Sequence, residues 1–360
     1  MAGMSAATLP RGFAPLRVRS VEQLCEDAAA VTFEVPPELA ERYAFRPGQS
    51  ITVRREVDGR DERRSYSICA PVGEPLRVGV REVAGGAVSS WLVHRLRPGD
   101  TVEVQEPSGR FVADPAAGGR HVLVAAGSGI TPMISIAGSL LAAGGSQVTL
   151  FYGNRHTTSV MFAEALADLK DAYGPRFELV HVLSREPRDV ELFTGRLDRD
   201  RLGTLLRELV PVDDVDQFWL CGPHEMVLGA RELLGELGVP SDRVHAELFY
   251  VEDAAPPPAR HVEPGVDGPT ATVTVVLDGR ATELRLPYDR TLLDAAQESR
   301  ADLPFACKGG VCGTCRAKVV EGAVDMRRNY ALEDAEVEAG FVLTCQSYPD
   351  SDTARIDYDA

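Results

Sequence analysis

Four cysteines, Cys307, Cys312, Cys315 and Cys345, stand in the order C-x4-C-x2-C followed, after 29 intervening residues, by a last C. This is the ligand spacing of a plant-type [2Fe–2S] cluster, in which four thiolates hold two bridged irons. Three thiolates this close need a loop that curls around the metal. Gly309, Gly310 and Gly313 let backbone N–H groups approach the sulfurs at φ values closed to larger residues. A structural zinc site and inert buried thiols are the rival readings. Zinc knuckles pair C-x2-C with a second close pair or with histidines, and here Cys345 stands alone. A thioredoxin-type C-x-x-C needs a βαβ setting that this segment lacks.

The flanking pattern agrees with a cluster domain. Thr272–Leu277 alternates as a strand, Asp278-Gly279 is a two-residue hairpin turn, and Ala281–Leu286 is the return strand. Leu292–Ser299 reads as a short helix with Thr291 as its cap. Hairpin, helix and cluster loop are the order of a β-grasp ferredoxin.

At 360 residues the chain has room for two or three domains. The spacing of turns predicts a multidomain α+β and α/β architecture. Met1–Gly12 reads as a frayed leader. Residues 13–116 show short alternating segments, expected to form a small antiparallel β-barrel, the part that carries the candidate flavin motif Arg64–Ser67. From His121 apolar strands alternate with helical patterns, so 117–250 is expected to be a parallel-sheet α/β domain, the part that carries the candidate nicotinamide motif Gly127–Pro132. Val251–Pro269, with five prolines, reads as an extended linker. Residues 270–360 are the C-terminal β-grasp [2Fe–2S] domain. That last part carries 16 acidic and 10 basic residues, and the whole chain has a net charge of −16. This charge argues against a nucleic-acid partner, and a basic docking partner and a merely solubilising surface both fit. No 18-residue apolar run and no cationic-then-apolar start is present, so neither a membrane span nor a signal peptide is expected. Seven cysteines, four of them in the cluster pattern, fit a reducing, cytoplasmic setting. Cys25 and Cys69 read as packing residues.

Two cofactor sites are written upstream. Arg64-Ser65-Tyr66-Ser67 follows the Asp58-Gly59 turn, and strand alternation puts Arg64 and Tyr66 on one side. A cation for phosphate, an aromatic face and a small polar donor are what a flavin requires. Alone, the motif equally describes an exposed strand with a solvated arginine. Gly85-Gly86-Ala87-Val88-Ser89 precedes a helical stretch, Ser90–Arg97, with Ser89 expected to cap a helix whose N-terminus faces a pyrophosphate. An ordinary glycine turn and cap is the plainer alternative. His121–Ala126 is a buried strand, and Gly127-Ser128-Gly129-Ile130-Thr131-Pro132 turns it into a helix reaching about Ala143. Two glycines there bring backbone amides to a dinucleotide, although Pro132 replaces the third glycine of G-x-G-x-x-G. Where NAD folds carry an acidic residue for the ribose, this chain has Tyr152-Gly153-Asn154-Arg155 and then Ser184-Arg185-Glu186. Arginines suit a 2′-phosphate, so NADPH is favoured over NADH. Cys221-Gly222-Pro223-His224-Glu225-Met226 follows the strand Gln217–Leu220, which puts Cys221 at the carboxyl edge of the sheet or, alternatively, makes it a buried structural thiol.

Taken together, R-x-Y-S, G-x-G-x-x-P, S-R-E and C-G-P-x-x-M resemble the ferredoxin–NADP reductase superfamily, and the C-terminal domain resembles that of multicomponent oxygenase reductases. The likeness covers Pro15 to Tyr358. More narrowly, Ala306–Lys318 and Asn329–Gln346 resemble the family of phenylacetyl-CoA 1,2-epoxidase reductase subunits, while steroid and aromatic-ring oxygenase reductases share the architecture. The resemblance implies that Arg64, Tyr66, Ser67, Gly86, Val88 and Ser89 hold FAD, with FMN left open by relatives of the same domain order. It implies that Gly127, Gly129, Thr131, Arg155, Ser184 and Arg185 hold NADPH. Cys221, with Gly222, Pro223 and Met226, then lies beside the nicotinamide, and Glu247 and Phe249 lie near the flavin, Cys221 and Glu247 being the catalytic candidates.

The expected activity is electron transfer from NADPH through flavin and [2Fe–2S] to a di-iron oxygenase component, the phenylacetyl-CoA epoxidase, with no nucleic acid and no membrane involved. A reductase for another aromatic-ring or steroid oxygenase, a stand-alone electron carrier and a zinc-stabilised interaction module are the alternatives.

Overall fold

A computed structural model describes residues 12–249 and 270–360. The expected leader lies almost wholly, and the expected proline-rich linker entirely, outside the described residues. The chain divides into two compact units, one within Ala14–Val251 and one within Glu252–Ala360.

The first unit opens with β1 (Phe13–Cys25), β2 (Ala28–Glu34), β3 (Ser50–Val57), β4 (Arg60–Ser67), β5 (Arg77–Arg81), α1 (Ser89–His94) and β6 (Thr101–Gln105). Their sheet runs β4-β3-β6-β1-β2-β5, and a bridge between Ile68 and Val78 joins its two edges into a barrel. The β3–β4 hairpin turns on Asp58 (φ 52°) and Gly59 (φ 73°), both left-handed as a two-residue turn demands. That turn sets the register from Val57↔Arg60 to Ser50↔Ser67, and so fixes where the R-x-Y-S side chains point.

The same unit continues with β7 (Gly119–Ala126), α2 (Ile130–Ala143), β8 (Ser146–Asn154), α3 (Ala163–Tyr173), β9 (Phe177–Leu183), α4 (Arg199–Leu209), β10 (Gln217–Gly222), α5 (His224–Glu236) and β11 (Val244–Leu248). All five strands are parallel, in the order β11-β10-β7-β8-β9. The central strands read as apolar runs because helices cover both faces. Helix α2 is buried along all of Ile130–Leu141, since one core joins it to the sheet and to Ala28, Ala30, Cys69, Phe111 and Ala113 from the barrel side. Its few polar side chains are satisfied within the core, the Ser135 hydroxyl donating to Ala70 O at 2.6 Å.

The second unit holds β12 (Thr270–Leu277), β13 (Arg280–Pro287), α6 (Leu292–Ala296), β14 (Arg316–Glu321), β15 (Val324–Met326), α7 (Asp334–Glu338), β16 (Phe341–Leu343), β17 (Ser347–Pro349) and β18 (Thr353–Asp357). Its main sheet is β13-β12-β18-β14-β16. Asp278 (φ 55°) and Gly279 (φ 71°) make the expected hairpin, and the Thr291 hydroxyl caps α6 by accepting from Asp294 N. Helix α6 stops at Ala296, short of the expected Ser299. Arg300 N closes a turn onto Ala296 O, and the Arg300 guanidinium, 4% exposed, is drawn inward to Asp302 and Thr282.

Candidate functional site

The strand order reverses between β7 and β10, and the loops leaving these two strands face one crevice at the carboxyl end of the sheet, where open α/β folds bind ligands. Gly127 (φ 56°) starts the turn after β7. A Cβ on Gly129 would fall 2.1 Å from the Cys221 carbonyl oxygen, so only glycine lets this loop sit on the end of β10. Cys221 is fully buried and in register with Ala125 on one side and Glu247 on the other. Ser67, ending β4, donates from its hydroxyl to Glu247 Oε2 at 3.3 Å. Barrel and parallel sheet thus bring Ser67, Cys221 and Glu247 to one place. Burial, then the nearby Glu247 charge, pushes the Cys221 thiol well up. Burial raises Glu247 to about 8 against the opposing hydrogen bond from Ser67. Both groups are therefore mainly neutral at pH 7, so the junction holds a carboxylic proton in a largely desolvated setting.

Along β4 the flavin motif passes from exposed Arg64 to buried Ser67. Arg64 is exposed, pairs with Glu62 at 3.0 Å and donates to its neighbour's carbonyl. Tyr66 is half-buried, and burial pushes its phenol up. Ser89 does not cap α1: it is the first helical residue, and Val88 occupies the cap position in a helical conformation. The Ser89 hydroxyl is spent inside the loop, accepting from Val83 N at 3.1 Å and lying 3.5 Å from Gly86 O. The helix also ends at His94 rather than Arg97. A Cβ on Gly86 would lie 2.4 Å from Ser89 Oγ, so the loop is wound as tightly as a phosphate cradle requires. Val88 is 1% exposed and packed in the barrel core, and its carbonyl accepts from Leu92 N at 3.0 Å. An exposed cation, an aromatic face and this loop fit a flavin with a phosphate tail.

Around the dinucleotide loop, Thr131 is buried and its hydroxyl donates to Ser128 O at 3.0 Å. Ser184 N and Arg185 N donate to the carbonyls of Asn154 and Arg155, both at 2.9 Å, so the two expected nicotinamide segments lie side by side past β8 and β9. Arg155 and Arg185 are exposed. The Asn154 amide is 8% exposed, yet neither its nitrogen nor its oxygen has a partner among the described residues. Such an orphan is expensive unless a ligand meets it, and it fits a bound dinucleotide. Glu186 is engaged by Thr157, whose backbone N and Oγ1 both donate to it at 2.7 Å. Gly222 and Met226 pack together, a Gly222 Cβ falling 2.6 Å from Met226 Cε. Pro223 is exposed at the start of α5, and Phe249 packs on the shared core. Sequence reasoning missed Arg81. It ends β5, donates to Ser159 O at 2.6 Å, and its Nη1 would lie 3.3 Å from a Gly127 Cβ. An arginine closing the apolar run Val78–Val80 was the available signal.

In the second unit the cysteines meet in two pairs, the Cys307 and Cys312 side chains bonding to each other and Cys315 to Cys345. The Cys312 hydrogen bond holds the Cys307 thiol down, while Cys315 is raised, first by Cys345. None of the seven cysteines is in a disulfide. No three or more His, Cys, Asp or Glu side chains among the described residues are placed to hold one metal ion. Two thiolate pairs suit two irons better than one tetrahedral zinc. Gly309 N donates to Cys307 Sγ at 3.3 Å, and Gly310 (φ 80°) and Gly313 (φ 68°) take the left-handed turns. The sequence did not foretell that Lys308 is also left-handed, at φ 52°.

Comparison with known proteins follows the same division. Residues 15–112 match the oxidoreductase FAD-binding domain, 123–232 the oxidoreductase NAD-binding domain, and 275–350 the 2Fe-2S iron-sulfur cluster binding domain. The chain is 43% identical to one of the subunits of the 1,2-phenylacetyl-CoA epoxidase of Escherichia coli, covering 97% of this chain and 98% of that one. It is 35% identical to the ferredoxin reductase component of 3-ketosteroid-9-alpha-monooxygenase from Mycobacterium tuberculosis, covering 96% and 95%. Among solved structures it superposes on phthalate dioxygenase reductase, described as modular for electron transfer from pyridine nucleotides to [2Fe-2S], with a TM-score of 0.61, 26% identity, and 96% and 98% coverage. The chain belongs to the ferredoxin–NADP reductase superfamily, as an NAD(P)H-dependent oxygenase reductase with FAD-binding, NAD-binding and C-terminal [2Fe–2S] domains.

Proposed function

We propose that this chain takes its electrons from NADPH and delivers them to the di-iron oxygenase that epoxidises phenylacetyl-CoA in phenylacetate degradation. The end-to-end likeness to the Escherichia coli epoxidase component, 43% identity over 97% of the chain, carries the choice of partner. When bound, the flavin converts a hydride into single electrons and the cluster carries them one at a time. Arg64, Tyr66 and Ser67, with the Gly86, Val88 and Ser89 loop, hold FAD. Gly127, Gly129 and Thr131 hold the dinucleotide diphosphate, and Gly222, Pro223 and Met226 shape the wall on which Cys221 meets the nicotinamide. Glu247, tied to Ser67, keeps a proton at its carboxyl beside the hydride path, and Phe249 closes the flavin side. Domain limits of 13–116, 117–250 and 270–360 complete the proposal. The protein is expected in the cytoplasm; no helix among the described residues is long and apolar enough to cross a membrane.

The preference for NADPH rests on Arg155 and Arg185, which are exposed, joined through their backbones and engaged in no ion pair among the described residues. Two free guanidinium groups suit a phosphate dianion. A steroid-oxygenase reductase is the second reading, favoured by the 35% identity to the mycobacterial component. The test is to capture the tagged protein from its own cells grown on phenylacetate and assay it for NADPH- and O2-dependent consumption of phenylacetyl-CoA. Turnover that stops when NADPH is omitted supports the proposal. Flavin and cluster reduction with phenylacetyl-CoA left untouched refutes the partner.

A further inference from the structure

Gln346 follows the last cluster cysteine and is 7% exposed, although the ligand spacing itself demands no amide there. Its Nε2 donates to the carbonyl oxygens of Lys308 and Cys345, each at 2.8 Å, and lies 3.8 Å from Cys345 Sγ. Two amide protons face three acceptors, so the one aimed at Cys345 is shared between carbonyl and sulfur. The stem is fixed as well. A Cβ on Gly310 would lie 3.0 Å from Gln346 Cγ, and Arg327 N donates to Gln346 O at 3.0 Å. At the far end of the clasp, Lys308 keeps a left-handed backbone that a non-glycine residue holds only when its surroundings impose it. Its Nζ donates to Asp294 Oδ1 at 2.7 Å and Gln297 Oε1 at 2.9 Å. The three-cysteine loop is thereby gripped from both sides, by α6 and by Gln346.

We propose that Gln346 is a positioning residue that sets the reduction potential of the cluster, clasping the three-cysteine loop to the fourth cysteine and aiming an amide N–H at its sulfur. The proposal rests on the [2Fe–2S] reading of the four cysteines. Reduction adds one electron to the cluster and increases the negative charge on its sulfurs. A donor already directed at one sulfur favours the reduced state over the oxidised one.

Gln346→Met keeps the bulk and removes the donor, and Gln346→Glu keeps the shape and puts an acceptor in its place. Full-length variants are titrated potentiometrically, with the EPR signal of the reduced cluster as readout. For Gln346→Met the reduced-to-oxidised ratio at fixed poise is expected to fall about tenfold, a midpoint lower by about 59 mV for one electron, and Gln346→Glu falls further. An intact cluster with an unchanged or raised midpoint in Gln346→Met overturns the proposal. If neither variant assembles a cluster, the wild-type protein decides. With glutamine labelled by 15N in its side chain, pulsed EPR of the reduced cluster is expected to show 15N coupling, and no coupling overturns the role. Wild-type protein without any [2Fe–2S] signal overturns both this proposal and the cluster reading beneath it.

Discussion

Three of the four proposed cluster ligands come from the nine residues Cys307–Cys315, and the fourth arrives from a turn after β16 that Gln346 ties back to Lys308. The proposed flavin–nicotinamide junction is assembled differently. Ser67, Cys221 and Glu247 come from three strands, and Ser67 and Glu247 are 180 residues apart. The cluster site is a local loop stiffened by two clasps, while the junction exists only when barrel and parallel sheet have docked through the shared core around α2. A local site tolerates faults elsewhere in the chain. A junction built from strand ends inherits every fault of the packing behind it.

The sharpest way to break this contrast is Cys345→Ser. Loss of one of four thiolates is expected to abolish the cluster, read by its visible absorbance and EPR, while NADPH-dependent ferricyanide reduction continues at the flavin. Loss of both activities in a folded protein would make the two sites one unit. Next in size is Tyr66→Ala. Losing an aromatic face worth about 0.5–1.5 kcal/mol beyond its buried area is expected to leave the purified protein largely free of flavin with its cluster intact, checked by the flavin-to-iron ratio. Arg185→Ala is expected to raise KM for NADPH about tenfold, the scale of one partly exposed charge-assisted hydrogen bond, with little change for NADH. An unchanged ratio of the two KM values contradicts its role.

The remaining test concerns Glu247. Its folded pKa of about 8 lies above the usual carboxyl value. Between those two values the folded state binds more protons than the unfolded one, so stability falls as pH rises through this window and is greatest below it. Glu247→Gln carries no such proton and is expected to flatten the decline of Tm between about pH 5 and pH 8. Parallel melting curves that keep the wild-type slope would remove Glu247 from the buried junction.

How far the sequence spoke follows the same divide. The Asp58-Gly59 and Asp278-Gly279 turns and the apolar run of β7 are local signals, and each is realised where its pattern lies. The helix after the Gly85-Gly86 turn also formed, but its cap moved from Ser89 to Val88. Glycine flexibility let the Ser89 hydroxyl fold back on Val83 N, a choice that residue types alone leave open. The Glu247–Ser67 bond and the approach of Arg81 to Gly127 depend on how two domains dock, which no window of sequence encodes. Lys308 was hidden for a different reason. A left-handed lysine has no compositional mark, and only the Asp294, Gln297 and Gln346 contacts around it explain why it stays there.

Anaerobic mixing of the full-length protein with NADPH, followed by optical spectra and freeze-quench EPR, tests the electron path most directly. Flavin bleaching, with the signal of a reduced [2Fe–2S] cluster growing in behind it, is the expected result. Bleaching of the flavin with a cluster that stays oxidised in wild-type protein would contradict a continuous path from nucleotide to cluster.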